Sequence, residues 1–192
     1  MRMTPQFMRV SRMIRDISAD DILTGNKKTN LRQLVEDKLH EQGGSVSEIR
    51  FREIGTTPVD LNMLELKTVQ YETTVSKELF LEWVTPDNDI VGFLRLSLPS
   101  PEALERYGSQ LPVELGEAMI REVHVYGFAA KITGTSASAQ HHGLGKALIE
   151  QAATLAHDAG YRHLNVISAI GTREYYRKLG FEDHGLYQRR PL

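Results

Sequence analysis

The sequence predicts an α/β (α+β) fold in which a mixed central sheet is flanked by helices. Residues 64–98 alternate apolar and polar side chains with a period of two, as antiparallel strands do. Residues 119–181 pass instead from strand to loop to helix to strand to helix to strand, which adds parallel pairing. With 192 residues, 41% of them hydrophobic, the chain can form one substantial core.

Residues 1–44 are expected to form a basic arm followed by a helix, and residues 45–192 the main domain. Residues 1–32 contain seven Lys or Arg against three Asp. Such a segment can contact a polyanion, although a charged run is more often a solvated surface. Asn30 or Thr29 can cap the helix, which ends before Gly43. Its apolar positions fall on one face: Leu31, Leu34, Val35 and Leu39.

The main domain is expected to begin with paired strands at 64–75 and 77–85. A third strand at 89–98 ends at Pro99, after which Ser100 opens a short helix with proline at its first position. The next strand, 119–126, places Val123 and Val125 on one face and Glu122 and His124 on the other. Then come a strand at 164–168, a helix at 172–179 and a last strand from Phe181.

A polar, glycine-containing turn at 140–145 runs directly into an amphipathic helix. The helix has Leu144, Leu148, Ala152, Leu155 and Ala159 on one face and stops at Gly160. Gly143 and Gly145 are therefore expected in its first turn. Unpaired N–H groups and the helix dipole attract a pyrophosphate there, and glycine lets the anion approach the backbone. The turn thus predicts a phosphate site.

Two common nucleotide motifs do not fit these residues. A P-loop needs glycine where Gln140 stands and Ser or Thr where Ala147 stands. A dinucleotide fingerprint from Gly143 needs glycine or alanine where Leu148 stands. What remains is Gln-x-x-Gly-x-Gly, or a helix start with incidental glycines.

The turn at 140–145 resembles the pyrophosphate-binding loop of GNAT-type acetyltransferases, and this resemblance implies acyl transfer from a thioester. Such a transfer needs a pyrophosphate site, donors that polarise the thioester carbonyl, and an acid for the departing thiolate. Free backbone N–H groups beside a bulge in the strand at 122–125 can supply the donors. Tyr175 and Tyr176 are candidate acids, because a tyrosine pKa near ~10 is close to that of an alkyl thiol. We choose Tyr176 as the acid, with Tyr175 as the alternative. Glu122 and His124 are candidate bases that can equally line the cofactor groove.

Several classes of site are not expected. The chain has no cysteine, which excludes disulfides, zinc–thiolate sites, iron–sulfur clusters and thiol nucleophiles within it. His141 and His142 are consecutive and do not converge on one metal. The apolar runs are shorter than a membrane span and residues 1–5 do not begin a signal peptide, so we expect a cytoplasmic protein with no membrane partner.

Three motifs carry a resemblance to a known family. The turn at 140–145 resembles the pyrophosphate-binding loop of GNAT-type acetyltransferases. Together with residues 121–127 and 166–181, it resembles the acetyltransferase domain of the catalytic subunit of Elongator. That family comprises tRNA carboxymethyluridine synthases, also called tRNA uridine acetyltransferases. The resemblance continues through 12–17, 25–34 and 49–55, and it implies the GNAT acyltransferase fold.

The resemblance implies acetyl-CoA as cofactor and the tRNA anticodon stem-loop as partner. The expected cofactor-binding residues are Glu122, Val123, His124, Val125, Leu144, Gly145, Lys146, Ala147 and Tyr176, to which the turn adds Gln140 and Gly143. The expected RNA-binding residues of the basic segment are Arg9, Arg12, Arg15, Lys27, Lys28 and Arg32.

The chain also departs from this family. Its members carry a radical SAM domain with an iron–sulfur cluster on three cysteines, whereas this chain has no cysteine and has Phe51 where relatives often have one. We therefore expect no cluster or SAM site here, and either a fragment or a stand-alone homologue. The leading hypothesis is tRNA-coupled turnover of acetyl-CoA, with a radical SAM domain or protein in trans as a further partner. The alternatives are a GNAT N-acetyltransferase acting on a protein or small-molecule amine, and a non-catalytic tRNA-binding module.

Overall fold

A computed structural model gives the architecture of the chain. It describes residues 1–11, 18–25, 27–28, 30–44, 46–55, 57–126 and 139–192, with residues 19 and 139–142 described by their backbone. The described chain forms two compact units, Met1–Glu53 and Ile54–Leu192. Our boundary between 44 and 45 stays a prediction. Within the described ranges, no helix combines the length and apolar character that crossing a membrane requires.

The first unit contains helix α1, Leu31–Glu41, and short 3-10 turns at Ala19–Asp21 and Ile49–Phe51. The predicted helix is confirmed, although the side chain of its N-cap residue Asn30 makes no capping hydrogen bond. A buried carboxylate ties the unit together. Glu48 is 0% exposed and accepts hydrogen bonds from the N–H groups of Val10 (2.9 Å) and Arg50 (3.1 Å). Arg32 completes its coordination through an ion pair.

The second unit is built on a seven-stranded sheet in the order β1-β2-β3-β4-β5-β7-β6. The strands are β1 Glu65–Glu72, β2 Ser76–Val84, β3 Ile90–Pro99, β4 Glu117–Val125, β5 His163–Val166, β6 Glu182–His184 and β7 Tyr187–Pro191. Only the β4–β5 pair is parallel; the other pairs in this sheet are antiparallel. The helices are α2 Pro101–Tyr107, α3 Ala139–Asp158 and α4 Arg173–Arg177, and a 3-10 turn follows at Gly108–Gln110. The predicted mixed sheet with flanking helices is confirmed.

The core lies between one face of the sheet and α3. Its members are Leu79, Leu81, Leu94, Leu96, Leu98, Ala118, Ile120, Leu148, Ile149, Ala152, Ala153, Ala156, Leu164, Val166, Tyr176 and Phe181. The alternating apolar residues of β2 and β3 meet the apolar stripe of α3, as their sequence periods indicate. Packing on α3 therefore fixes which face of each strand is buried.

Two boundaries differ from the sequence expectation. The predicted last strand is a hairpin of β6 and β7, because Gly185 adopts a left-handed φ of 58° and turns the chain back. Helix α3 begins at Ala139, four residues before Gly143, so the two glycines do not lie in its first turn. Neither glycine nor proline stands between 139 and 142 to delay the helix. The other elements appear where they are predicted, with ends shifted by a few residues.

Candidate functional site

Strand β4 carries a bulge at Arg121. Before it, Ile120 pairs with Leu96 of β3; after it, Glu122 pairs with Arg95, so Arg121 has no partner across the strand pair. Because a bulge inserts one extra residue, the side chains of the residues that follow it point to the opposite faces of the sheet from those they would otherwise occupy. Their backbone N–H and C=O groups likewise exchange sides. The bulged strand expected from the sequence is therefore present directly ahead of Val123.

Strands β4 and β5 separate at the same point. Their parallel pairing runs from Glu117 opposite His163 to Ile120 opposite Val166, and a last hydrogen bond joins the Ile167 N–H to the Ile120 carbonyl at 3.2 Å. Within the part of the chain that the structure describes, residues Arg121–Val125 then have β3 as a neighbour on one side and no paired strand on the other. We refer to this unpaired side of the second half of β4 as the cleft.

Two backbone N–H groups of β4 point into this cleft. The Tyr126 N–H donates to the Val91 carbonyl of β3 at 2.8 Å. In an antiparallel pair, alternate residues direct their N–H and C=O groups toward the partner and away from it. Val123 and Val125 therefore direct both groups away from β3, and His124 directs its own toward β3.

Helices α3 and α4 contribute one residue each beside Val125. A Cβ atom built on Gly145 of α3 would lie 3.3 Å from the Tyr175 hydroxyl oxygen and 3.6 Å from Val125 Cγ2. We call the space bounded by Val123, Val125, Gly145 and Tyr175 the β4 cleft. Glycine at 145 lets β4, α3 and α4 approach one another, and a larger side chain would occupy the cleft.

The other residues expected in the glycine turn lie on α3. Gly143, Lys146 and Ala147 are exposed, Leu144 is half-buried, and Gly145 is buried. The backbone of Gln140 belongs to the first turn of α3, and its side chain lies outside the described residues. Helix ends leave their first N–H groups without helical partners, and the described part of α3 begins at Ala139.

The two tyrosines of α4 occupy different environments. The Tyr175 hydroxyl lies beside Gly145 at the cleft, whereas Tyr176 is 7% exposed and packs edge-on against Phe181, with ring centroids 5.6 Å apart. Burial raises the pKa of Tyr176 to about 12, with a further contribution from Tyr175. Burial and the negative charge of Glu150 also raise the pKa of Tyr175. Both hydroxyls therefore keep their protons at neutral pH.

A buried amide that the sequence analysis did not single out holds the start of α4. Gln188 of β7 is 0% exposed, and its Oε1 accepts from the Ser168 hydroxyl at 2.9 Å. Its Nε2 donates to the Arg173 carbonyl (3.2 Å) and to Asp183 (3.1 Å). Because Arg173 begins α4, these bonds tie the tyrosine-bearing helix to β7 and to the end of β5. A lone glutamine in a terminal strand gives no sequence signal of this role.

Glu122 and His124 place their side chains on the opposite face of the sheet from Val123 and Val125. Glu122 accepts a hydrogen bond from Arg95 Nε at 2.9 Å. His124 is exposed, and its ring centroid lies 5.9 Å from that of Phe93 and 4.4 Å from that of Tyr126. Their backbones belong to the cleft strand, but their side chains do not line the β4 cleft. Among the residues placed in the structure, no three His, Asp or Glu side chains cluster as metal ligands.

Among the described basic residues of the first unit, Arg9 and Arg32 form ion pairs within the unit, and Lys27 and Lys28 are exposed at the surface. Arg32 has 13% of its side chain exposed; it contacts the Val10 carbonyl and forms ion pairs with Glu36 and Glu48. Arg9 pairs with Glu53 at 2.8 Å. Lys27 and Lys28 are exposed. The predicted RNA contacts at Arg12 and Arg15 lie outside the described residues. Arg32 therefore supports the unit internally, which sequence position alone does not reveal.

Most of the second unit matches a known domain family. Residues 118–190 match the acetyltransferase (GNAT) domain family. Elongator complex protein 3 of Danio rerio is 34% identical over 192 residues, covering 96% of this chain and 34% of that protein. The tRNA uridine(34) acetyltransferase of Methanocaldococcus jannaschii is 34% identical, covering 95% of this chain and 35% of that protein. The chain thus spans about a third of the length of these curated relatives.

A solved structure shows the same architecture. The archaeal Methanocaldococcus infernus Elp3 with an N-terminal deletion superposes with a TM-score of 0.81 at 32% identity, covering 100% of this chain and 46% of that one. Residues 118–190, which include the bulge and the separated strands, therefore form an acetyltransferase (GNAT) domain. Nearly the whole chain is similar to Elongator complex protein 3 and to the tRNA uridine(34) acetyltransferases.

The raised pKa of Tyr176 predicts a loss of stability at high pH. Above pH ~10, an unfolded tyrosine releases its proton, whereas folded Tyr176 keeps its own until about pH 12. The unfolded state then binds fewer protons, so the free energy of unfolding falls as pH rises through this window. At pH 11 the term from Tyr176 is about 1 kcal/mol.

The Tyr176→Phe variant lacks this term. We expect its free energy of unfolding, measured with denaturant at pH 8 and pH 11, to fall by about 1 kcal/mol less than that of the unsubstituted protein. An equal fall in both proteins would show that Tyr176 is not held in its neutral form by burial.

Proposed function

We propose that this chain binds acetyl-CoA in the β4 cleft and turns it over in a reaction coupled to tRNA, as an acyltransferase of the wobble-uridine modification type. The observation that carries the proposal is the bulge at Arg121, followed by two valines whose N–H groups face a separated strand. Backbone donors left without partners in a folded sheet are suited to bind an extended amide-containing ligand or a carbonyl oxygen.

The residues of the cleft fit the chemistry of acetyl-CoA. Val123 and Val125 offer N–H and C=O groups for the amides of the pantetheine arm, and their side chains are apolar. The start of α3 would hold the pyrophosphate at the positive end of the helix dipole, with Gly143 and Gly145 about one to two turns further along the helix. When bound, acetyl-CoA supplies an acetyl group activated as a thioester. Lys146 is exposed two turns after Ala139 and adds a positive charge to this part of α3.

The tyrosine pair would hold the proton that a departing thiolate needs. Tyr176 is the candidate that the motif indicates, but its pKa of about 12 makes it a weaker acid than an ordinary tyrosine by about 3 kcal/mol. Tyr175 has the hydroxyl that lies at Gly145 in the cleft. Both hydroxyls are therefore candidates for the acid.

Separate Tyr175→Phe and Tyr176→Phe variants distinguish the two tyrosines. The variant that lacks the acid should turn over acetyl-CoA more slowly when the cofactor is saturating.

The acceptor assignment rests on the relatives and on the first unit. Two relatives are named for Elongator and for tRNA uridine(34) acetylation. In this chain, Lys27 and Lys28 are exposed cations that suit phosphates of an anticodon stem-loop. An iron–sulfur cluster on cysteines would have to come from another segment or protein, because this sequence has no cysteine. A radical SAM domain acting in trans is therefore part of the proposal.

A second candidate function is N-acetylation of a protein or small-molecule amine. The observation that favours it is the extent of the GNAT match, which covers residues 118–190 and hence the whole cleft without the basic first unit. The cleft itself is compatible with either acceptor.

Release of CoA from acetyl-CoA tests the proposed activity. We expect the purified chain to release CoA faster when tRNA with a wobble uridine is added. Gly145→Glu should abolish this release, because its side chain and charge would occupy the cleft beside Tyr175. Gly108→Glu is the matched control, since a Cβ at Gly108 meets no atom within 4 Å. Release that ignores tRNA but rises with an added amine would favour the second function.

A further prediction concerns the salt dependence of tRNA binding. Replacing both Lys27 and Lys28 with alanine should weaken binding and reduce the slope of log K against log salt by about 1 to 2, because two phosphate contacts are lost. Replacing Lys67 and Lys77 of the second unit is the control and should change neither quantity. An unchanged slope in the Lys27 and Lys28 variant would contradict the assignment of RNA contacts to this segment.

A further inference from the structure

We infer that two ion pairs on the sheet face opposite α3 are positioning groups that hold the β4 bulge in register: Glu78 with Arg121, and Arg95 with Glu122. This inference deepens the proposed function, because the bulge decides what the cleft presents to the cofactor. None of these four side chains lines the β4 cleft, so each would act through the backbone of β4.

The bulge places two consecutive side chains of β4 on the same face. Arg121 Nη1 lies 3.0 Å from Glu78 Oε2 of β2, and Glu122 Oε2 lies 2.9 Å from Arg95 Nε of β3. Arg95 also lies over the Phe80 ring, 5.2 Å from its centroid. Because Glu78 and Phe80 are two residues apart on β2, they share this face. Arg121 and Glu122 therefore both point away from α3.

The Glu78 carboxylate gives the arrangement its strength. It is 1% exposed, and its Oε1 accepts a hydrogen bond from the Ser76 hydroxyl at 2.7 Å. Its Oε2 makes no directed hydrogen bond, so the attraction to the Arg121 guanidinium is Coulombic. A buried carboxylate that loses its cation is strongly destabilised. Glu78 therefore favours the register that keeps Arg121 within reach.

The second pair opposes a shift of register. If the bulge were lost and the register of Ile120 opposite Leu96 continued, Arg121 would stand opposite Arg95 in place of Glu122. The attraction between Arg95 and Glu122 would be replaced by a repulsion between like charges, and Arg121 would move away from the row in which Glu78 lies opposite Ser97. The two pairs together thus select a single position for the bulge.

The consequence for the cleft follows from the pairing. Without the bulge, the register set by Ile120 opposite Leu96 would continue along β4, with Val123 opposite Phe93. The valines would then hydrogen-bond to β3, and the side chains of Glu122 and His124 would turn toward α3. The bulge instead presents to the cleft two valine side chains and two N–H groups that no described strand pairs. The two ion pairs favour the bulged register of β4 over the register without a bulge.

The test uses Glu78→Gln, with Glu117→Gln as matched control. Glu117 is also a buried carboxylate paired with an arginine, Arg189 at 2.8 Å, but it lies on β4 ahead of the bulge. Amide hydrogen exchange of the His124 N–H, which faces β3, reports the register after the bulge. Met119, opposite Ser97 ahead of the bulge, is the internal reference.

In Glu78→Gln we expect exchange at His124 to speed up at least tenfold relative to Met119, and the Kd for CoA to rise at least tenfold. In Glu117→Gln we expect the exchange rate of His124 relative to Met119, and the Kd for CoA, to stay within about twofold of their values in the unsubstituted protein. Arg121→Gln removes the other partner of the ion pair and is the second variant, for use if Glu78→Gln folds poorly, because the Arg121 side chain is 46% exposed. We expect Arg121→Gln to give the same two changes as Glu78→Gln, and Arg121→Lys to bring both quantities back to their values in the unsubstituted protein.

Unchanged relative exchange at His124 in both Glu78→Gln and Arg121→Gln would overturn the inference. An equal effect of Glu117→Gln would also overturn it, since general loss of stability would then explain the change. If the unsubstituted protein failed to bind CoA, the proposed function would fall, and the exchange ratio would still decide the role of the ion pairs.

Discussion

The bulge at Arg121 is the constraint on which the candidate site depends. It follows Ile120, the last β4 residue that pairs with β5. The side chains and backbone groups of β4 therefore exchange faces at the point where β5 separates from β4. Backbone groups that would otherwise complete a sheet are directed away from β3, on the side that carries Val123 and Val125. Packing of α3 and α4 brings Gly145 and Tyr175 beside Val125 on this side.

Much of the fold could be predicted because it depends on local periodicity. The alternation in β2 and β3, the apolar stripe of α3 and the Ser100-Pro101 helix start are each encoded within a few residues. The hairpin of β6 and β7 depends on one glycine with positive φ, and a short run of polar residues around Gly185 does not distinguish this turn from a continuing strand. The early start of α3 escaped prediction because nothing between 139 and 142 favours or forbids a helix strongly.

The residue types of the site could be predicted from the sequence, but the directions in which the side chains point could be predicted less well. Val125, Gly145 and Tyr175 lie together, whereas Tyr176, the tyrosine chosen from the sequence, packs against Phe181, because the orientation of α4 decides which tyrosine reaches Gly145. That orientation is held by Gln188, whose partners lie 5 to 20 residues away in the sequence. Likewise, charge counting marks Arg32 as part of a basic segment, whereas its buried partner Glu48 gives it a structural role. Long-range pairing of polar groups carries no periodic signal.

The measurement that tests this account most directly is amide hydrogen exchange along β4 with and without CoA. The account predicts that the N–H groups of Val123 and Val125 exchange rapidly in the free protein and become protected when CoA is added, while His124, already bonded to β3, changes little. Protection confined to His124, or the absence of any change at the two valines under conditions where CoA is bound, would contradict the claim that the bulged strand forms the cofactor site.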